Sequence, residues 1–204
     1  MRQCLWIFLM LVSVQAYAEK SDAKLERCIE QQNPSSYEVL ISRADIGKKV
    51  AEVAQAIDRD LQGEPVTLVA IMKGAICIAA DLMRELHSSC VLECVRASSY
   101  GTNGTQRGEL VVEGLEKLQV EGKNVLIVDD IFDSGFTLST IVDKISALKP
   151  KSVRSLIFLS KKIERPVSYR PTYVLFEVED LFVFGYGMDY KEYLRGIPDV
   201  CCVR

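Results

Sequence analysis

The sequence predicts an α/β fold, a mostly parallel twisted sheet flanked by helices, and three observations carry that expectation. Mostly apolar runs of strand length occur at Val66–Met72, Val125–Val128 and Val153–Leu159. Helical patterns alternate with them, and that alternation is the signature of strands crossing over into a common sheet. The run at Val125 meets two acidic residues, Asp129 and Asp130, then the turn Asp133-Ser134-Gly135, then a helical stretch. A strand thus delivers its end to a helix N-terminus, where unpaired backbone N–H groups and the helix dipole favour an anion.

Taken in order, Met1 and Arg2 precede an apolar stretch from Cys4 to Val14, and Ala16-Tyr17-Ala18 resembles a small-x-small cleavage site. Residues 1–18 therefore read as a secretory leader, too short for a comfortable membrane span. The rest, 19–204, has the size and composition of one domain, with no linker-like stretch or internal repeat; the chain is 204 residues, 49% hydrophobic and 26% charged. Residues 19–36 are polar and read as an irregular or weakly helical entry. Ile46, Val50, Val53, Ala54, Ile57 and Leu61 recur at helical spacing, and Gly63-Glu64-Pro65 ends that helix. The strand Val66–Met72 leads through Lys73-Gly74 into a mostly apolar helix, Ala75–Leu86.

Cys90–Ala97 reads as the next strand, running into a loop that contains Ser99, Tyr100 and two glycines, and Glu109–Glu113 as another. After the turn, Leu138, Ile141, Val142, Ile145 and Leu148 line one helical face until Pro150 stops it. Val153–Leu159 ends at Ser160, Lys161 and Lys162. Thr172–Val178 and Phe182–Tyr186 complete the strands, before a tail containing Asp189, Glu192, Tyr193 and Arg195.

A formal net charge of −3 without a long Lys/Arg run argues against nucleic acid as a partner. The cysteines beyond residue 18 sit in apolar surroundings or side by side and are expected as free, mostly buried thiols; no Cys/His spacing suggests zinc. His87 reads as a surface residue.

Asp129-Asp130-Ile-Phe-Asp133-Ser134-Gly135-Phe136-Thr137 after an apolar strand resembles the 5-phosphoribosyl-1-pyrophosphate (PRPP) signature of the phosphoribosyltransferases. Met72-Lys73-Gly74 after an earlier strand, and Phe182-Val183-Phe-Gly-Tyr-Gly-Met-Asp189-Tyr-x-Glu-Tyr-x-Arg195 near the end, are similar to motifs of the hypoxanthine-guanine members. The resemblance spans about Glu38 to Val203 and implies the type I phosphoribosyltransferase fold, with a small hood built from N- and C-terminal segments.

It also implies an enzyme that joins N9 of a 6-oxopurine to C1 of PRPP with loss of pyrophosphate, giving IMP or GMP in purine salvage. On the matching positions, Ser134, Gly135, Phe136 and Thr137 would cradle the 5′-phosphate, and Asp129 and Asp130 would face ribose and Mg²⁺. Asp133 would be the catalytic acid/base at the purine. Lys73, Gly74 and Arg195 would hold pyrophosphate, with a cis peptide between Met72 and Lys73, and Ser99 and Tyr100 would belong to a covering flexible loop. Lys161, chosen over Lys162 by aligning the tail on Asp189, would meet the 6-oxo group. Phe182 would stack on the base, Val183 would contact it through the backbone, and Asp189 would lie on the magnesium side.

Three positions depart mildly from the family pattern: Asp129 where many relatives have Glu, Ser134 where Thr is common, and Phe136 at a variable position. Two other readings are a regulator of the same fold that senses PRPP without turnover, and an enzyme preferring xanthine or guanine. The resemblance also implies a homo-oligomer, dimer or tetramer. Because PRPP is an intracellular metabolite, the cytoplasm is the expected compartment, with export or tethering the alternative if residues 1–18 act as a leader.

Overall fold

The computed structural model describes residues 37–99 and 110–203. Its main sheet has six strands in the order β4-β3-β2-β5-β6-β7: β2 is Val66–Met72, β3 Cys90–Ser99, β4 Leu110–Glu113, β5 Asn124–Phe132, β6 Ser152–Lys161 and β7 Tyr173–Val178. All pairings in it are parallel except β3 with β4. β2 lies between β3 and β5, so the chain steps outward in one direction after β2 and in the other after β5. That reversal leaves a crevice beyond the carboxyl ends of β2 and β5, the place where open parallel sheets bind ligands.

Side chains of the central strands alternate between two cores. Leu68 and Ala70 of β2 and Leu126 and Val128 of β5 join one cluster with α1 (Arg43–Leu61) and α2 (Ile76–Glu85). Val69, Ile71, Val125 and Ile127 join the other with α3 (Phe136–Ser146). Both faces are therefore covered, which is why these strands read as unbroken apolar runs. Helix α1 buries Ile46, Val50, Ala54, Ile57 and Leu61, and Ser42 caps it by accepting from the Asp45 N–H at 3.2 Å.

A second, three-stranded sheet forms a hood in the order β1-β9-β8, with β1 at Tyr37–Ile41, β8 at Val183–Phe184 and β9 at Val200–Val203. Strand β9 pairs antiparallel with both neighbours, tying the two ends of the described chain together.

Several expected boundaries shift. β5 runs four residues beyond Val128, through Asp129 and Asp130, because its ladder with β6 continues to the pair Phe132 and Ser160. α3 ends at Ser146, and Leu148 is an exposed turn residue rather than a member of the apolar face; its N–H turns back to the Ile145 carbonyl. The strand expected at Phe182–Tyr186 shortens to Val183–Phe184, since Gly185 has a φ of 92° and Tyr186 one of 47°. Among the described cysteines all five are free; Cys201 and Cys202 are buried, Cys77 and Cys90 are half-buried, and Cys94 is exposed on the outer part of the sheet. His87 is exposed as expected, with Nδ1 3.3 Å from Asp58. The leader and residues 19–36 lie outside the described residues.

Asp58, near the end of α1, accepts the backbone N–H groups of His87 at 3.0 Å and Ser88 at 2.9 Å, fastening the turn after α2. Burial opposes its charge, but these donors prevail and hold the carboxyl down at about 2. A folded-state value below the unfolded one gives stability that is complete above about pH 4 and lost as the pH falls toward 2. Asp58→Asn is expected to cost about 1–2 kcal/mol at pH 7 and almost nothing at pH 2, measured by urea unfolding at both values.

Candidate active site

The crevice is floored by the ends of β2 and β5. After β2 the peptide bond between Met72 and Lys73 is cis. Gly74 follows, and its Cα lies so close to the Asp130 carboxylate that a Cβ would overlap it. Only a glycine admits that approach, so Lys73-Gly74 and the acidic end of β5 form one surface.

Asp129 and Asp130 point to opposite faces of β5, as strand alternation requires. Asp130 lies on the Gly74 side; Asp129 is buried at 6% exposure, and its Oδ1 accepts the Asp130 N–H at 3.0 Å. Burial, together with the neighbouring Asp130 charge, pushes the Asp129 carboxyl well up from the usual carboxylate range. Asp130 Oδ1 in turn accepts the Ile131 N–H at 2.9 Å.

Beyond β5, Asp133 extends an exposed side chain, and Ser134 and Gly135 turn the chain into α3. Gly135 adopts a φ of 79° and has no side chain to cap the helix, so apart from a long contact of the Phe136 N–H with Ser134 its first N–H groups are left to an external acceptor. The Ser134 hydroxyl lies 3.5 Å from the Phe136 N–H, Thr137 is half-buried, and Phe136 is exposed. This is an anion cradle built from backbone dipoles and hydroxyls.

On the neighbouring strand end, Lys161 Nζ lies 2.8 Å from Asp180 Oδ1 and 3.9 Å from Asp133 Oδ2, and its side chain is only 16% exposed. Lys162 points elsewhere: it pairs with Glu179 at 2.9 Å and is half-exposed. Of the two, Lys161 shares the crevice with Asp133. Phe182 is 57% exposed and meets Tyr190 edge-on, with ring centres 5.8 Å apart, while Val183 is buried in the hood. An exposed aromatic face can stack on a flat heteroaromatic ring, and an ammonium and a carboxylate can meet polar groups at the edge of such a ring.

The tail brings charge to the Gly74 side. Arg195 donates to Asp189 Oδ1 at 2.6 Å and to the Gly187 carbonyl at 2.8 Å, and Lys73 reaches Glu192 at 2.6 Å. The second oxygen of Asp189 accepts the Glu192 N–H at 2.9 Å. The Lys73 ammonium, by hydrogen bond and charge, holds the Glu192 carboxyl below its ordinary value. Gly187, with a φ of 101°, packs its Cα on the Gly74 carbonyl, and Tyr186 donates to Asp81 of α2 at 2.7 Å. These contacts lock the tail onto the peptide after β2.

A cavity of about 760 Å³ opens beside Met72 and Lys73, with Cys77, Asp81, Tyr186 and Arg195 among its walls, but none of Asp129–Thr137, Lys161 or Phe182 lines it. The acid and the ammonium, Asp133 and Lys161, instead face one another at the adjoining ends of β5 and β6. Tyr100 lies outside the described residues, and Ser99 is seen only as the last residue of β3. Sequence reasoning missed Asp81, Tyr186 and Gly187, whose contacts join α2 or the peptide after β2 to the tail across a long sequence separation.

Residues 37–191 match the family model described as phosphoribosyl transferase domain. The chain is 38% identical over 168 residues to the hypoxanthine-guanine phosphoribosyltransferase of Aquifex aeolicus, covering 81% of this chain and 94% of that one. It is 36% identical over 164 residues to the hypoxanthine phosphoribosyltransferase of Escherichia coli, covering 79% and 92%. The solved structure of a hypoxanthine-guanine phosphoribosyltransferase from Bacillus anthracis superposes with a TM-score of 0.75 at 34% identity, covering 82% of this chain and 98% of that one.

Proposed function

This chain belongs to the phosphoribosyltransferase family, and from that premise we propose how its residues divide the reaction of the hypoxanthine-guanine members. The enzyme transfers the 5-phosphoribosyl group of PRPP to N9 of a 6-oxopurine, hypoxanthine or guanine, in purine salvage. The bond from C1 to the pyrophosphate oxygen breaks, the N9–C1 bond forms, and the base loses a proton. The observation that carries the division of labour is the meeting of Asp133 and Lys161 at adjacent strand ends, 3.9 Å apart, beside the anion cradle.

Ser134, Gly135, Phe136 and Thr137 bind the 5′-phosphate through hydroxyls and the uncapped N–H groups of α3. Asp130, and Asp129 behind it, orient the ribose hydroxyls. Lys73, Gly74 and Arg195 hold the leaving pyrophosphate, and Ser99 and Tyr100 belong to the segment that covers it. Lys161 donates to the 6-oxo oxygen of the base; adenine offers an amino donor there and is disfavoured. Phe182 stacks on the ring, the Val183 backbone meets its edge, and Asp133 takes the departing proton.

Hard carboxylate oxygens at Asp129, Asp130 and Asp189 suit Mg²⁺. Mg²⁺ often takes only one or two protein carboxylates, with substrate and water oxygens completing its shell. When bound, Mg²⁺ neutralises charge on the pyrophosphate leaving group. We place the enzyme in the cytoplasm as a homo-oligomer: PRPP is made and kept inside cells, and the exposed Ile76 and Leu92 line a mostly apolar groove with Met72, Ala79 and Met83.

The reading is tested by incubating the protein with PRPP, Mg²⁺ and each of hypoxanthine, guanine, xanthine and adenine, and following nucleotide formation. IMP and GMP are expected, with little AMP; no product from any base would return the chain to a PRPP-sensing role. In the same assay Lys161→Ala should raise KM for hypoxanthine by about 10–100-fold, the worth of a charge-assisted hydrogen bond. An unchanged KM would remove Lys161 from the base.

A further inference from the structure

We propose that Arg165 is a positioning residue for the purine half of the site, its single guanidinium tying the end of β5, which Asp133 directly follows, to the end of β6, which carries Lys161. Nε donates to the Asp133 carbonyl at 2.7 Å. Nη2 donates to the Phe132 carbonyl at 2.9 Å, to the Ser160 hydroxyl at 3.1 Å and to the Lys161 carbonyl. Nη1 reaches the Ile163 carbonyl at 3.3 Å, and the guanidinium carbon lies 4.5 Å from the centre of the Phe132 ring.

The acceptors are carbonyls and one hydroxyl rather than carboxylates, so this is not a surface ion pair of little consequence. The β5–β6 ladder ends at the pair Phe132 and Ser160. Beyond it the strand ends would be free to splay, and their carbonyls would need other donors. A planar fork with five donors in fixed directions can satisfy both ends at once; an ammonium cannot. Two residues further on, Val167 meets Gly135 so closely that a Cβ on the glycine would overlap it. The segment from Arg165 to Val167 therefore supports the turn from beneath while Arg165 fixes the separation of Asp133 and Lys161.

This inference rests on the assignment of Asp133 and Lys161 to the base. Arg165→Lys keeps the charge and loses the fork. It is expected to lower kcat/KM for hypoxanthine by about 100-fold, the effect of displacing reacting groups by about an ångström. The PRPP dissociation constant, measured calorimetrically, should stay within about threefold because the uncapped end of α3 remains. Should Arg165→Lys fail to fold, Arg165→Gln takes its place in the same comparison.

Hypoxanthine kinetics within about threefold of the parent protein would overturn the proposal. So would equal proportional losses toward hypoxanthine and PRPP, which mean general loosening. Asp133→Asn and Lys161→Ala are measured in parallel. If both leave hypoxanthine kinetics intact, the assignment of the base site is wrong; if they impair it and the Arg165 variant does not, only the role of Arg165 falls.

Discussion

Asp133→Asn lowers kcat by about 10²–10³-fold while KM for PRPP stays within about threefold; this is the expected result of removing one proton acceptor without moving its neighbours. The substitution is nearly isosteric. The Asp133 carbonyl still accepts from Arg165, and the turn through Ser134 and Gly135 still leads into α3. What disappears is the carboxylate 3.9 Å from Lys161, and with it the group proposed to take the proton released as N9 is alkylated. Steady-state kinetics with hypoxanthine, together with calorimetric PRPP binding, separate the two effects. A parental kcat would end the acid/base role, and an equal loss of PRPP affinity would make Asp133 a phosphate-site residue instead.

The second large effect is structural. Gly187→Ala is expected to destabilise the fold by about 2–5 kcal/mol and to raise KM for PRPP. At a φ of 101° an L-residue carries strain of about 1–2 kcal/mol, and the added methyl group would overlap the Gly74 carbonyl, an overpacking cost of about 1–3 kcal/mol. Backbone cannot step aside as a side-chain tip can. Relief must come from parting the tail from the peptide after β2, which separates Arg195 from Lys73 and Gly74. Urea unfolding gives the first quantity and initial rates the second. Parental stability would mean that the two segments are not held in contact in solution.

Much of this site was legible in the sequence because its parts are local strings. The run from Asp129 to Thr137 encodes strand, acid, turn and helix in consecutive residues, and each piece forms from its own pattern. Lys161 was legible only through alignment with Asp189; its own surroundings, two lysines in a row, gave no preference. The structure separates them by burial: Lys161 turns inward beside Asp133, and Lys162 turns out to Glu179. The extension of β5 past Val128 was hidden because two carboxylates look like a strand terminus, whereas pairing with β6 carries the ladder through them. Leu148 misled for the opposite reason, since it kept helical spacing after the helix had ended. Arg165, Tyr186 and Asp81 could not be read at all. Their roles depend on partners that only the fold brings near.

The hood also orders events in time. A chain made from its N-terminus has β2, β5 and β6, and hence the cradle for phosphate, before Val200–Val203 exists. Strand β9 is the middle strand of the hood, and without it β1 and β8 have no common partner. Tyr37 must then find Val203, a closure spanning the described chain from end to end, whose entropic cost is set by that separation. The wall that carries Phe182 is consequently the last part of the site to be assembled. A nascent chain can present the turn before α3, the proposed phosphate cradle, while the wall proposed to hold the base still awaits its final strand.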